Sequence, residues 1–197
     1  ADTVTEDLDL SYRAQLAGWR VLYLPDVVAP AELTPLLTAF KAQQARWAKG
    51  ASQCLRKLTG PILRSRRLSR AQKVMGLLHL SGYFNQPLLL MMILLTLPMV
   101  LTDPHFSDFS VWLGVLASVP PLLYVLGQMR LYRDGLGRIL AYPVLMFLWI
   151  GMTLNLTLAL IDGLLRWGGA FVRTPKYRIR GRVGQWRSSS YRPPVSK

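Results

Sequence analysis

A chain of 197 residues that is 51% apolar and only 17% charged, with a positive mean hydropathy, is not composed like an ordinary soluble domain. Its formal charge of +14 raises the question of nucleic acid, but the basic residues flank apolar runs and no nucleic-acid-binding motif accompanies them, so a bilayer rich in anionic lipid is the expected partner. The lone Cys54 excludes an intrachain disulfide framework and a cysteine zinc site.

Residues 5–17 predict a helix. Thr5 is placed to cap it, Glu6 and Asp7 fall in its first turn, Leu8, Tyr12 and Leu16 recur at helical spacing, and Gly18 stops it. Residues 19–24 predict a strand closed by Pro25, with Val27 and Val28 a second short one. A helix followed by a strand is expected at the edge of an α/β domain whose remainder lies elsewhere, so the chain reads as a fragment.

Thr34 and Pro35 predict the cap and first turn of a long helix reaching towards Leu58. Leu36, Leu37, Phe40, Trp47, Cys54 and Leu55 supply apolar faces, while Lys41, Arg46, Lys49, Arg56 and Lys57 make the helix basic. Such a helix suits a membrane interface. Gly60 and Pro61 are expected to break it, and Arg64, Arg66, Arg67, Arg70 and Lys73 lead to a first span near Leu80.

Residues 80–102, 109–129 and 139–161 carry no charge, and each run is long enough to cross a hydrocarbon core. The connection 103–108 has no Lys or Arg, whereas Arg130, Arg133 and Arg138 follow the second run, which places 103–108 outside and 128–138 in the cytoplasm. The third run precedes a tail from Arg166 with nine Lys or Arg and no acid. That tail stays inside if residues 139–165 lie along the interface or re-enter. The sequon Asn155-Leu156-Thr157 falls within this run and is read as helix surface, and the Ser- and Pro-containing end as disordered.

Three motifs carry candidate chemistry: Thr5-Glu6-Asp7, Gln43-Gln44-Ala45-Arg46-Trp47 and Phe171-Val172-Arg173-Thr174-Pro175-Lys176. They resemble, in order and in placement around the apolar runs, the Thr-Glu-Asp, Gln-x-x-Arg-Trp and Phe-x-Val-Thr-x-Lys signatures of family 2 membrane glycosyltransferases, the group that contains bacterial cellulose synthase. Arg173 departs from the third signature, where Val is usual. Taken alone, acids in a first turn are explained by the helix dipole, worth about 0.3–1 kcal/mol, and an interfacial Trp beside an Arg by lipid contact.

The resemblance implies a mostly α integral membrane chain. Residues 1–33 end a GT-A-type α/β domain, 34–79 form interfacial amphipathic helices, and 80–129 hold two transmembrane helices. Residues 130–165 form a cytoplasmic loop and an interfacial or re-entrant helix, and 166–197 a gating-like loop and tail. It further implies a processive, inverting β-glycosyltransferase that takes a hexose from a nucleotide sugar, UDP-glucose or a GDP- or UDP-linked relative, onto a growing polysaccharide. Inversion requires a carboxylate to deprotonate the acceptor hydroxyl. Asp7 is the candidate general base, with Glu6 behind it and Asp9 behind both. Gln43, Arg46 and Trp47 share one helix face, where the indole can stack on a pyranose and the other two can meet hydroxyls or diphosphate. Phe171, Arg173, Thr174 and Lys176 correspond to the gating loop that covers the nucleotide.

Mg²⁺ or Mn²⁺ is expected for the full-length enzyme, with ligands upstream of this chain, which alone is expected to be inactive. A bacterial inner membrane, with the catalytic side cytoplasmic and accessory subunits allowed for, is the expected location. The competing readings are a non-processive lipid glycosyltransferase and a non-enzymatic membrane adaptor. His79 reads as a packed residue, and Asp103, His105 and Asp108 are too few to argue for a metal.

Overall fold

The computed structural model describes residues 2–29, 31–102, 119–169 and 174. Helix α1, Glu6–Ala17, starts after Thr5 and ends at Gly18, whose φ of 103° only glycine adopts without strain. The Thr5 hydroxyl makes no cap bond. It turns instead to Cys54, with Oγ1 and Sγ 3.6 Å apart.

No strand forms at residues 19–24 or at Val27 and Val28, which is a correction to the sequence reading. Trp19, Leu22, Tyr23 and Val28 are each at least 75% exposed. A strand is held by its neighbour's ladder, and no partner strand exists among the described residues.

Helix α2, Leu37–Arg64, begins two residues after Pro35 and runs through Gly60 and Pro61, the expected breakers. An internal proline costs a helix about 3 kcal/mol, but Leu58 and Ile62 on either side of it are only 2% and 1% exposed. Burying such side chains contributes about 1.5–3 kcal/mol each, which offsets the break. Helix α3, Arg70–Leu80, opens with a capping box in which Ser69 and Gln72 each satisfy the other's backbone N–H. A 3₁₀ turn, Gly82–Phe84, leads to α4, Asn85–Thr102. After the undescribed stretch come α5, Val119–Leu131, then α6, Gly135–Ile139, and α7, Tyr142–Leu165.

Two helical stretches among the described residues, Gly82–Thr102 and Gly137–Leu165, are long and apolar enough to cross a membrane. Most of the second charge-free run, and all of the loop 103–108, lie outside the described residues.

The chain divides into two compact units, Ala1–Asn85 with Asn155–Lys197, and Gln86–Leu154. In the second unit α5 and α6 pack together. Arg138 bonds Asp134 at 3.0 Å and lies 3.9 Å over the Tyr132 ring. In the first unit Cys54, Leu58, Ile62 and Leu80 form the buried core, and Leu8, Tyr12 and Leu16 of α1 cover it at their four-residue spacing. His79 is exposed rather than packed, which corrects the sequence reading, and its Nδ1 lies 2.8 Å from the Tyr12 hydroxyl, which also donates to the Gly76 carbonyl. Thr157 of the sequon is buried within α7.

Candidate active site

The site is organised by α2, and around the second motif the face that α2 buries is made of small residues rather than large apolar ones. Leu37 is 60% and Trp47 41% exposed, whereas Ala48, Gly50, Ala51, Ser52 and Cys54 are buried. Small residues let backbones approach closely. A Cβ on Gly50 would collide with the Thr5 side chain, and one on Gly163 of α7 would collide with Ser52 and the Lys49 carbonyl.

The first motif is thereby placed against α2 one turn beyond the second, since Trp47, Gly50, Ala51 and Cys54 stand at i, i+3, i+4 and i+7. Glu6 and Asp7 are exposed, with Asp7 Oδ1 accepting from the Leu8 N–H at 2.8 Å. Asp9, two residues on, is 4% exposed and is held by Lys57 at 3.1 Å and by Arg13 at 3.0 Å. Neighbouring acids on one helix therefore have opposite environments. Burial pulls the Lys57 ammonium down, but hydrogen bonds to Asp9 and Asp2 outweigh it and hold it above the ordinary lysine value. Burial pushes the Cys54 thiol up, so it stays protonated and unreactive.

Gln43 and Arg46 are partly buried and Trp47 stands exposed beside them on the same face. Gln43 Nε2 donates to Thr174 Oγ1 at 3.3 Å, which joins the second motif to the third. Phe171, Arg173 and Lys176 lie outside the described residues. Gln44, which the motif leaves variable, is buried and accepts from the Tyr83 hydroxyl at 3.3 Å.

The outgoing end of α7 is fastened to α2 by several contacts. Lys49 pairs with Asp162 at 2.6 Å, and Arg56 donates to the Leu164 carbonyl at 3.0 Å while stacking 4.1 Å over Trp167. Gln53, which the sequence reading passed over, bonds Val4, Arg166 and Gly168. No group of three or more His, Cys, Asp or Glu gathers among the described residues. Asp2 and Asp9 are committed to Lys57, and Asp162 to Lys49 and Arg166, so these side chains do not form a Mg²⁺ or Mn²⁺ site.

A family model described as glycosyl transferase family group 2 matches residues 1–167, and the chain belongs to that family, within its cellulose-synthase-like kind. Among curated proteins, a 71-residue stretch is 42% identical to glucomannan 4-beta-mannosyltransferase 7 of Arabidopsis thaliana, covering 36% of this chain and 13% of that protein. Stretches of 72 residues are 39% identical to glucomannan 4-beta-mannosyltransferase 1 of Oryza sativa subsp. japonica and 40% identical to glucomannan 4-beta-mannosyltransferase 2 of Arabidopsis thaliana, each covering 36% of this chain and 14% of the relative. The chain thus matches only a small part of these relatives' length. No solved structure gives a significant match.

Proposed function

We propose that this chain is the acceptor side of a processive, inverting β-hexosyltransferase that extends a polysaccharide from a nucleotide sugar and passes it through the membrane. The observation that carries the reading is the convergence of three separated motifs on α2. Thr5 packs on Gly50, Trp47 stands one turn away, and Thr174 is reached by Gln43.

In this reading Asp7 accepts the proton of the acceptor hydroxyl as its oxygen attacks the anomeric carbon. The bond to the diphosphate breaks on the opposite side of that carbon, which inverts it. Asp7 suits the task because it is exposed at the first turn of α1. Asp9 does not suit it, being buried under two cations. Trp47 stacks on the acceptor pyranose, which fits an exposed indole on a buried helix. Gln43 and Arg46 bond sugar hydroxyls or the leaving diphosphate, and Phe171, Arg173, Thr174 and Lys176 cover the nucleotide. The metal that such enzymes use would neutralise the diphosphate when bound.

The membrane assignment extends the same proposal. Gly82–Thr102 and the run 109–129 cross the bilayer, and 139–165 lies along the cytoplasmic interface. The exposed Arg64, Arg66 and Arg70 then meet anionic headgroups. The relatives named above come from plants, which gives no support to a bacterial membrane in particular. Their names favour glucose or mannose as the hexose. The exposed segment 19–28 is proposed to pair with a sheet elsewhere in the full-length polypeptide.

The test is radiolabelled sugar transfer by membranes containing the full-length polypeptide, offered UDP- and GDP-linked hexoses with Mg²⁺ or Mn²⁺. Long polymer from the wild type and none from Asp7→Asn is the expected result. A single sugar on a lipid overturns processivity, and no transfer from any donor moves the reading to a membrane adaptor.

A further inference from the structure

Gln53 is fully buried and uses its whole amide. Oε1 accepts from the Val4 N–H at 3.0 Å, and Nε2 donates to the Arg166 and Gly168 carbonyls, both at 2.9 Å. The pattern permits only one orientation, because a flipped amide would set donor against donor. Its three partners belong to two distant parts of the chain. Val4 lies three residues before Asp7, and Gly168 lies six before Thr174. The two parts also bond each other directly, Gly168 N–H donating to the Asp2 carbonyl at 2.9 Å. An apolar side chain of similar volume would leave these three backbone groups without their partner, so the amide serves its bonds rather than packing.

The contacts on either side point the same way. Lys49 and Arg56 flank Gln53 at i−4 and i+3 and hold the same outgoing end of α7. We infer that Gln53 is a positioning residue, fixing the Thr-Glu-Asp end of α1 and the Arg166–Gly168 stretch, a few residues before Thr174, to a single point on α2. A side chain that touches neither substrate thus helps to set the distance between the base and Thr174, together with the direct Gly168–Asp2 bond. This inference rests on the glycosyltransferase reading above.

The experiment uses full-length enzyme in membranes, with kcat and donor KM measured per folded molecule and the folded amount taken from detergent melting. Gln53→Met removes all three bonds at similar volume and is expected to lower kcat on the order of tenfold to a hundredfold, the scale of small misplacements of reacting groups. Gln53→Glu keeps the bond from Val4 but loses both donations, so donor KM rises about tenfold while kcat changes less. Lowering the pH brings that KM back towards the wild-type value, since the protonated carboxyl can donate again. Arg56→Met, an exposed substitution that leaves the core intact, raises donor KM about threefold at unchanged kcat.

Wild-type kcat and KM in every variant overturn the inference, as does a fall in folded amount with unchanged constants. If the Gln53 variants do not fold, Arg56→Met decides, and an unchanged KM there overturns it. Absence of transfer by the wild type overturns the glycosyltransferase reading and this inference with it, whereas wild-type transfer with indifferent variants overturns this inference alone.

Discussion

The two sides of α1 differ in kind although Asp7 and Asp9 are only two residues apart along the helix. Towards solvent stand Glu6 and Asp7, exposed and without an ion pair in the described structure. Towards α2 stands Asp9, with Lys57, Gln53 and Cys54 below it, all held by named partners. A carboxylate kept available for a proton needs the first environment, and a junction kept rigid needs the second. In the proposed mechanism the site gains its precision from the buried side and its chemistry from the open one.

That contrast can be broken most sharply at Asp7. Asp7→Asn is expected to lower sugar transfer by about 10²–10⁴-fold, the usual contribution of general base catalysis, with no change in melting temperature. An unfolded or unstable variant would show that this side is structural too. Gly163→Ala tests the buried side, because the added methyl meets the backbone of Lys49, which cannot move aside cheaply. Overpacking of this kind costs about 1–3 kcal/mol, read as a lower melting temperature in detergent.

Asp9→Ala leaves Lys57 and Arg13 without their shared carboxylate and is expected to cost about 1–2 kcal/mol, with kcat per folded molecule falling far less than in Asp7→Asn. A comparable loss of turnover in both would erase the distinction between them. The pH dependence is smaller. The folded-state pKa of Lys57 is raised, so its stabilisation is fully present below the ordinary lysine value and is lost as pH climbs through the raised one. Melting temperature should therefore decline on the alkaline side beyond that point, and Lys57→Met should remove this part of the decline. Glu6→Gln, on the open side and with no proposed proton to carry, should change turnover least.

How much of this was legible beforehand follows from the range of the forces involved. Helix α1 could be read to within a residue because its limits are local, set by the acidic first turn and by Gly18. The strand at 19–24 could not, because alternation of apolar residues forms a ladder only beside a partner. Pro61 misled for the opposite reason: its local penalty is offset by the burial of Leu58 and Ile62, a tertiary effect. In the site, Asp7, Gln43, Arg46 and Trp47 were readable as motif residues. Gln53 was not, since a glutamine in a basic helix reads as surface until the chain ends that bond it are brought together.

Cys54 has a further use. It is the chain's sole cysteine, wholly enclosed, with its thiol pushed up by burial and its sulfur against Thr5. A maleimide or other alkylating reagent can reach it only when α1 lifts from α2, so its labelling rate counts those openings in the native protein. The junction thus carries its own clock, and the same reagent, applied with and without nucleotide sugar, would time how firmly substrate holds it shut.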